Sequence, residues 1–232
     1  IEFPTSSIGY ICGNTNKILK TEDGGNNWNE IIIDSISDSS AIYGMKFRNS
    51  QIGYLSVIQR SSNGFETKIY QTMNSGLNWN QINSIPEMIL NLELVNNELW
   101  ASGNNVVLKN IDQKNWKTIY KDSTKQVGQI RDFLVTNDTI IMSSFNGYII
   151  NKNKSSLIKQ QITPNRIRSI ISTKSGKLFA AGDNNKEKGN LFESIDNGIT
   201  CNLIKKDFND IHRLNVKDNI VWGIGKNGEL LK

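Results

Sequence analysis

Short apolar runs alternate with clusters of Asn, Gly, Ser and Asp along the whole chain. One stretch reads "YGMKF", "GYLSVI", "TKIYQT" and "WNQI" in succession; the next reads "LNLELV", "ELWASG", "VVLKN" and "NWKTIY". A third gives "IRDFLV", "TIIMSS", "GYIIN" and "SLIKQ". Runs this short, bounded by turn-forming residues, predict antiparallel strands joined by hairpins. Nowhere does a helical period persist over a helix's length.

The runs recur at a nearly constant distance. "IEFPTSSIGYICG" (Ile1–Gly13) aligns with "MKFRNSQIGYLSV" (Met45–Val57), matching Phe3 to Phe47, Ile8 to Ile52 and Gly9-Tyr10 to Gly53-Tyr54. The pattern returns as "LWASG", "IIMSS", "LFAAG" and "VWGIG", about 42 residues apart on average. A repeat of roughly 40–50 residues built from short strands predicts a β-propeller. Six units make an all-β, six-bladed propeller, with residues 1–232 as one domain and each blade buried only against its neighbours. The sixth unit offers strands at Ile211–Val216 and Ile220–Ile224 and a third beginning at Leu230, and Ile1–Phe3 already serves the first unit as its innermost strand. The expectation is therefore a three-stranded last blade, or a native chain with residues beyond one end.

Composition narrows the function classes. At 232 residues with 37% apolar content, the chain has material for a large core and many solvated turns. Two cysteines, Cys12 and Cys201, lack C-x-x-C spacing, which excludes a redox motif or zinc ribbon. His212 is the only histidine, so a His-based zinc site or triad would rest on one residue; no metal and no cofactor are expected. The net charge of +5 admits an anionic partner, but scattered lysines give no stripe for nucleic acid. No apolar run reaches membrane-spanning length. No signal sequence is present in this chain, which starts at Ile1.

Each third strand runs into a recurring phrase. It reads Thr21-Glu22-Asp23-Gly24-Gly25-Asn26-Asn27-Trp28, then Thr72-Met73-Asn74-Ser75-Gly76-Leu77-Asn78-Trp79, and later Ser194-Ile195-Asp196-Asn197-Gly198-Ile199-Thr200-Cys201. A shortened form carries Asp112 and Trp116. Asp or Asn can bond the N–H groups of its own turn, Gly supplies a positive φ, the hydroxyl can bond across the hairpin, and Trp offers a plate for packing between blades. These residues therefore read as structural. An EF-hand would need alternating oxygen ligands and a closing Glu, which the phrase lacks. Cys12 reads as core. Cys201, standing where Trp28 and Trp79 stand, reads as a poor filler of an indole slot, with no Cys12–Cys201 disulfide.

The S/T-x-D-x-G-x-x-W pattern resembles the Asp-box, or BNR, repeat of β-propellers, over nearly the whole chain. "GYICG…ILKTEDGGNNW" is most similar to the photosystem II assembly and stability factor-like branch. Related repeats occur in sialidases, sortilin-type receptors and xyloglucan-cleaving enzymes. The resemblance implies peripheral Asp-boxes, a ligand face at the propeller centre, and a secreted or periplasmic bacterial protein. It implies a non-catalytic, monomeric, assembly-type binder of a protein partner, an acidic peptide or an acidic glycan. The alternative is a glycan-binding or sialidase-like hydrolase.

The arginines carry the candidate site. Arg131, Arg166, Arg168 and Arg213 fall in or just before predicted innermost strands, and Arg48 ends another; Arg60 lies elsewhere. Converging guanidinium groups would make a carboxylate or phosphate receptor. In the competing reading they pair with Asp132, Asp210 or Glu93 and seal the channel. Tyr43, Phe65, Tyr120, Phe145 and Phe208 lie in or beside loops, as binding platforms or as loop anchors. His212, beside Arg213, reads as a channel or core residue rather than a base. A sialidase would add paired carboxylates and a Tyr/Glu couple; the "RIP"-type phrase is absent, and Asp132 is the one acid well placed in an inner strand, with Glu93 two blades away.

Overall fold

The computed structural model describes residues 1–232 apart from 14, 38, 63, 113, 137, 184–187, 210 and 226–227, and without the side chains of 207–209. The described residues form only strands and turns, with no α-helix. Six antiparallel sheets follow one another along the chain, the blades of a six-bladed β-propeller. They fall into two compact units, Ile1–Lys121 and Asp122–Lys232, of three sheets each.

In the first unit, β1 (Gly9–Cys12), β2 (Lys17–Thr21) and β3 (Asn29–Ile32) form one sheet. The expected innermost strand at Ile1–Phe3 is reduced to a single bridge, Glu2 exchanging backbone hydrogen bonds of 2.9 and 2.8 Å with Tyr10. The second sheet is β4 (Ala41–Phe47), β5 (Gly53–Ser61), β6 (Gly64–Thr72) and β7 (Asn80–Ile85). The third is β8 (Ile89–Val95), β9 (Glu98–Gly103), β10 (Val106–Asp112) and β11 (Asn115–Lys121).

The second unit begins with β12 (Ile130–Thr136), β13 (Thr139–Ser144), β14 (Tyr148–Lys152) and β15 (Leu157–Gln161). Its second sheet is β16 (Ile167–Ser172), β17 (Leu178–Asp183), β18 (Lys188–Ser194) and β19 (Asn202–Asn209). The last has three strands, β20 (Ile211–Lys217), β21 (Ile220–Gly225) and the short β22 (Leu230–Leu231), as expected.

The core lies between consecutive sheets of each unit. In the first, Tyr10 of β1 stacks on Phe47 of β4 at 4.1 Å, and Trp79 meets Phe47 edge-on at 6.1 Å. In the second, Ile141 and Ile149 of one sheet pack against Ile167, Ile170 and Phe192 of the next. Each such fully buried side chain contributes about 1.5–3 kcal/mol of transfer free energy. Removal of these apolar faces from water holds sheet to sheet, because among the described residues of each unit no backbone ladder joins one sheet to the next.

The acid–glycine phrases are tight hairpins with one shared bonding scheme. Thr21 Oγ1 donates to Asp23 Oδ1 at 2.8 Å and accepts from Gly25 N at 2.9 Å, while Asn27 N donates to Asp23 Oδ1 at 2.9 Å. Thr72, Asn74, Gly76 and Asn78 repeat these bonds, as do Ser194, Asp196, Gly198 and Thr200. The hydroxyl residues are buried, so these bonds are the means by which their oxygens are satisfied. The shortened form keeps the acid's part of the scheme: Asp112 Oδ1 accepts from Asn115 N at 3.0 Å.

The turn glycines serve the neighbouring blade as well as their own turn. Gly76 and Gly198 have φ of +79° and +78°. A Cβ on Gly76 would lie 3.1 Å from the Tyr10 ring, and one on Gly198 would lie 2.8 Å from Ile149 Cγ2. The same preceding sheets donate side-chain hydrogen bonds to the turns: Tyr10 Oη to Ser75 O at 2.8 Å, and Asn151 Nδ2 to Asn197 O at 2.7 Å. Each of these hairpins is thus a latch between consecutive blades.

Trp79 is buried, whereas Trp28 is half-buried, donates Nε1–H to Gly25 O at 3.0 Å and sits edge-on to Phe3 at 6.0 Å. Cys12 and Cys201 are free thiols. Cys201 packs on the cluster of Ile141, Ile149 and Phe192, and burial, with Asp196 nearby, pushes its thiol up to about 11.

Candidate functional site

Every first strand from β4 onward carries the same irregularity. A buried isoleucine (Ile42, Ile89, Ile130, Ile167, Ile211) is followed by one extra residue that has no partner in the register. That bulge residue is Tyr43, Leu90, Arg131, Arg168 or His212. A bulge adds a residue to one strand, increases its twist and re-aims a side chain. Two of the predicted arginines therefore stand at bulges.

In the second unit β12, β16 and β20 lie side by side. Arg131, at the β12 bulge, lies over the Phe145 ring with its guanidinium carbon 5.4 Å from the centroid. Arg166, just before β16, covers the same ring at 5.5 Å. Its Nε also bonds Asp183 Oδ2 at 2.6 Å, and Arg168 Nη2 reaches the same oxygen at 3.1 Å. Asp183 is buried at the end of β17. Arg131, Arg166 and Arg168 thus converge on one aromatic ring and one buried carboxylate.

A second acid ties the three strands together. Asp132 follows the β12 bulge and is buried. Its Oδ2 accepts from Ser169 Oγ at 3.0 Å and from Ile170 N at 3.1 Å, and its Oδ1 from Phe133 N at 3.1 Å. Ser169 Oγ in turn accepts from Leu214 N at 3.2 Å. Arg213 approaches Asp132 at 3.4 Å from a half-exposed position. The network links β12, β16 and β20 through side chains where no ladder exists, and it commits the Asp132 carboxylate to structure.

Several sequence expectations are corrected. Arg48 follows β4 at the end of the strand opposite its bulge; it donates Nη2–H to Asn97 O at 2.9 Å and lies over Tyr54 at 5.7 Å. Glu93 pairs with Lys46 at 3.1 Å, a partner the sequence reading did not name, and Lys46 also reaches Glu2 at 3.3 Å. His212, read as a channel or core residue, is exposed at the β20 bulge, which overturns the core alternative. Tyr120 is buried in β11 opposite Val107 and is no loop platform. Asp210 lies outside the described residues, as does the side chain of Phe208.

Asp183 escaped notice in the sequence, although a signal existed. It directly follows "LFAAG", as Asn104 follows "LWASG". In the structure Asn104, Phe145 and Asp183 are equivalent: each N–H bonds the carbonyl of the residue preceding the next or paired first strand, Met88, Gln129 and Arg166. Among the described residues, no group of three or more His, Cys, Asp or Glu is placed to hold a metal ion, and no helix is long and apolar enough to cross a membrane.

No protein-family model and no curated protein matches the chain. Among solved structures it is similar to "YCF48 bound to D1 peptide", with 16% identity and a TM-score of 0.71 over 98% of this chain and 75% of that one. It is also similar to the WD40 β-propeller domain of Doa1, with 8% identity and a TM-score of 0.56 over 98% of this chain and 89% of that one. At such identities the likeness concerns architecture alone, and with the six antiparallel sheets it makes this chain a six-bladed β-propeller.

Proposed function

We propose that this propeller is a non-catalytic binder that captures an acidic protein segment on Arg131, Arg166 and Arg168 around Phe145. The observation that carries the reading is the chain of contacts that gathers the three guanidinium groups: Arg131 and Arg166 lie over the Phe145 ring, and Asp183 holds Arg166 and Arg168 together from behind. Guanidinium groups bind carboxylates through two parallel N–H donors, and a fixed orientation reduces the entropy lost on binding. Arg213 and Arg48 stand outside this cluster in the proposal. The peptide-bound state of YCF48 supports a peptide as the ligand class for this fold.

The acids nearest the cluster are engaged as hydrogen-bond acceptors and ion-pair partners, which favours binding over hydrolysis. We take residues 1–232 as one domain, the hairpin phrases as Asp-box repeats, and the protein as a secreted or periplasmic bacterial monomer. Titration of a fluorescein-labelled hexaglutamate peptide at two salt concentrations tests the site. Arg131→Ala and Arg168→Ala should each weaken binding about tenfold, with a reduced salt dependence. Unchanged affinity in both variants sinks the proposal.

A further inference from the structure

A separate cavity of about 540 Å³ opens in the first unit. It lies beside the β4 bulge, against a hairpin that outgrows the others: β5 and β6 have nine residues each. Tyr43, the bulge residue, and Phe65, on the extended hairpin, are walls of this cavity and are 48% and 45% exposed. Arg60 also lines it, with its guanidinium carbon 6.0 Å from the Phe65 centroid. Gln59 and Met88 complete the part of the wall used here.

Ser40 is the second, independent observation. The residue is 2% exposed and lines the cavity, yet among the described residues its Oγ has no hydrogen-bond partner. A buried hydroxyl left in that state is costly, and a ligand hydroxyl would satisfy it. The volume falls in the range of small-molecule sites. The lining, though, mixes aromatic faces with hydroxyl, amide and guanidinium groups, unlike the mostly apolar wall that suits an apolar ligand.

We propose that this cavity binds an anionic carbohydrate, a sugar ring bearing a carboxylate. A pyranose presents C–H groups on its faces and hydroxyls at its edge. The faces match the exposed rings of Tyr43 and Phe65, the hydroxyls match Ser40 Oγ and the Gln59 amide, and the carboxylate matches the Arg60 fork. Gln59 Nε2 already donates to Glu66 Oε1 at 2.7 Å, which holds the amide in place with its oxygen available as an acceptor. The site is distinct from the arginine cluster of the second unit and does not depend on the proposal made for it.

Methyl β-glucuronide and methyl β-glucoside, titrated by saturation-transfer NMR, are the probes. The glucuronide should bind more tightly than the glucoside. Tyr43→Ala and Phe65→Ala alter exposed side chains, and each should weaken glucuronide binding about tenfold. Arg60→Gln should abolish the preference between the two glycosides while retaining weak binding of both. Ser40→Ala should weaken both alike. No binding of either glycoside to the unmutated protein overturns the proposal, as does affinity unchanged by Tyr43→Ala and Phe65→Ala. A preference for N-acetyltryptophan over both sugars overturns it as well, by making the cavity an aromatic-carboxylate site.

Discussion

The two units use one backbone device for different chemistry. In both, a buried isoleucine near the start of the first strand of each sheet from β4 onward is followed by a bulge. In the first unit the bulges present Tyr43 and Leu90, and in the second Arg131, Arg168 and His212. The residue before the isoleucine differs in the same direction, Met88 in one unit and Arg166 in the other. The isoleucines and the bulges recur with the fold, whereas the residue carried on each bulge varies from sheet to sheet. Repetition thus separates what the architecture requires from what a site has added.

The contrast is sharpest in the residue after the bulge. Gly44 N donates to Ser56 Oγ at 2.7 Å, an arrangement confined to its own sheet. Asp132 instead reaches across to Ser169 and Ile170 of the next sheet. Asp132→Ala leaves a buried hydroxyl and a backbone N–H short of an acceptor and should cost about 3–5 kcal/mol. Urea unfolding followed by tryptophan fluorescence measures it. Ser56→Ala in the first unit should cost about 1–3 kcal/mol as a buried N–H loses its acceptor. Equal losses in the two variants would mean that the cross-sheet network adds nothing to a local bond.

The latches give the next comparison. Gly198→Ala forces a methyl group to within 2.8 Å of Ile149 Cγ2, while Gly76→Ala meets the Tyr10 ring at 3.1 Å. Both add strain at a positive φ, so each should cost about 1–3 kcal/mol, with Gly198→Ala the more damaging. Thermal unfolding monitored by circular dichroism checks the order, and a larger loss at Gly76 would reverse the assignment of the tighter latch.

Acid sensitivity is the smallest effect. In the second unit Asp122 is buried, which opposes its ionisation. Hydrogen bonds from Lys159, Val127 N and Thr124 outweigh this and hold its carboxyl at about 2. Asp23 in the first unit is held at about 2 by its bonds to Asn27 and Thr21, but it is exposed. Both folded values lie below the ordinary 3.8, so the stabilisation is full above that pH and is lost as pH falls from about 3.8 toward 2. Asp122→Asn should flatten the acid limb of the stability profile, by more than Asp23→Asn does in high salt. Identical flattening would show that burial does not distinguish the two carboxylates.

The fold was legible because it is repetitive. Leu99–Gly103 and Ile140–Ser144 fall inside observed strands, and the hairpin phrases announced their own bonding through Thr21, Asp23 and Gly25. The candidate site was legible only as a list of arginines. Arg131, Arg166 and Arg168 gather on Phe145 and Asp183 while Arg213 meets Asp132, and nothing in the local sequence separates them. Glu93 and Asp132 were both considered as partners for arginine; Asp132 meets Arg213 but also binds Ser169 and Ile170, and Glu93 pairs with Lys46, partners that the sequence did not single out.

What the chain alone determined is therefore local and periodic: strand length, turn chemistry, repeat spacing and the short last blade. These follow from hydrophobic alternation and from the few residues that tolerate a positive φ, and each acts over a handful of positions. What the tertiary structure decided is which side chain each bulge re-aims and which acid meets which base. A strand's faces alternate every residue, so one unpaired residue reverses all that follow it. Where that residue falls is set by packing against the neighbouring sheet, and only the folded chain brings Phe145 and Asp183 to Arg166 and Arg168.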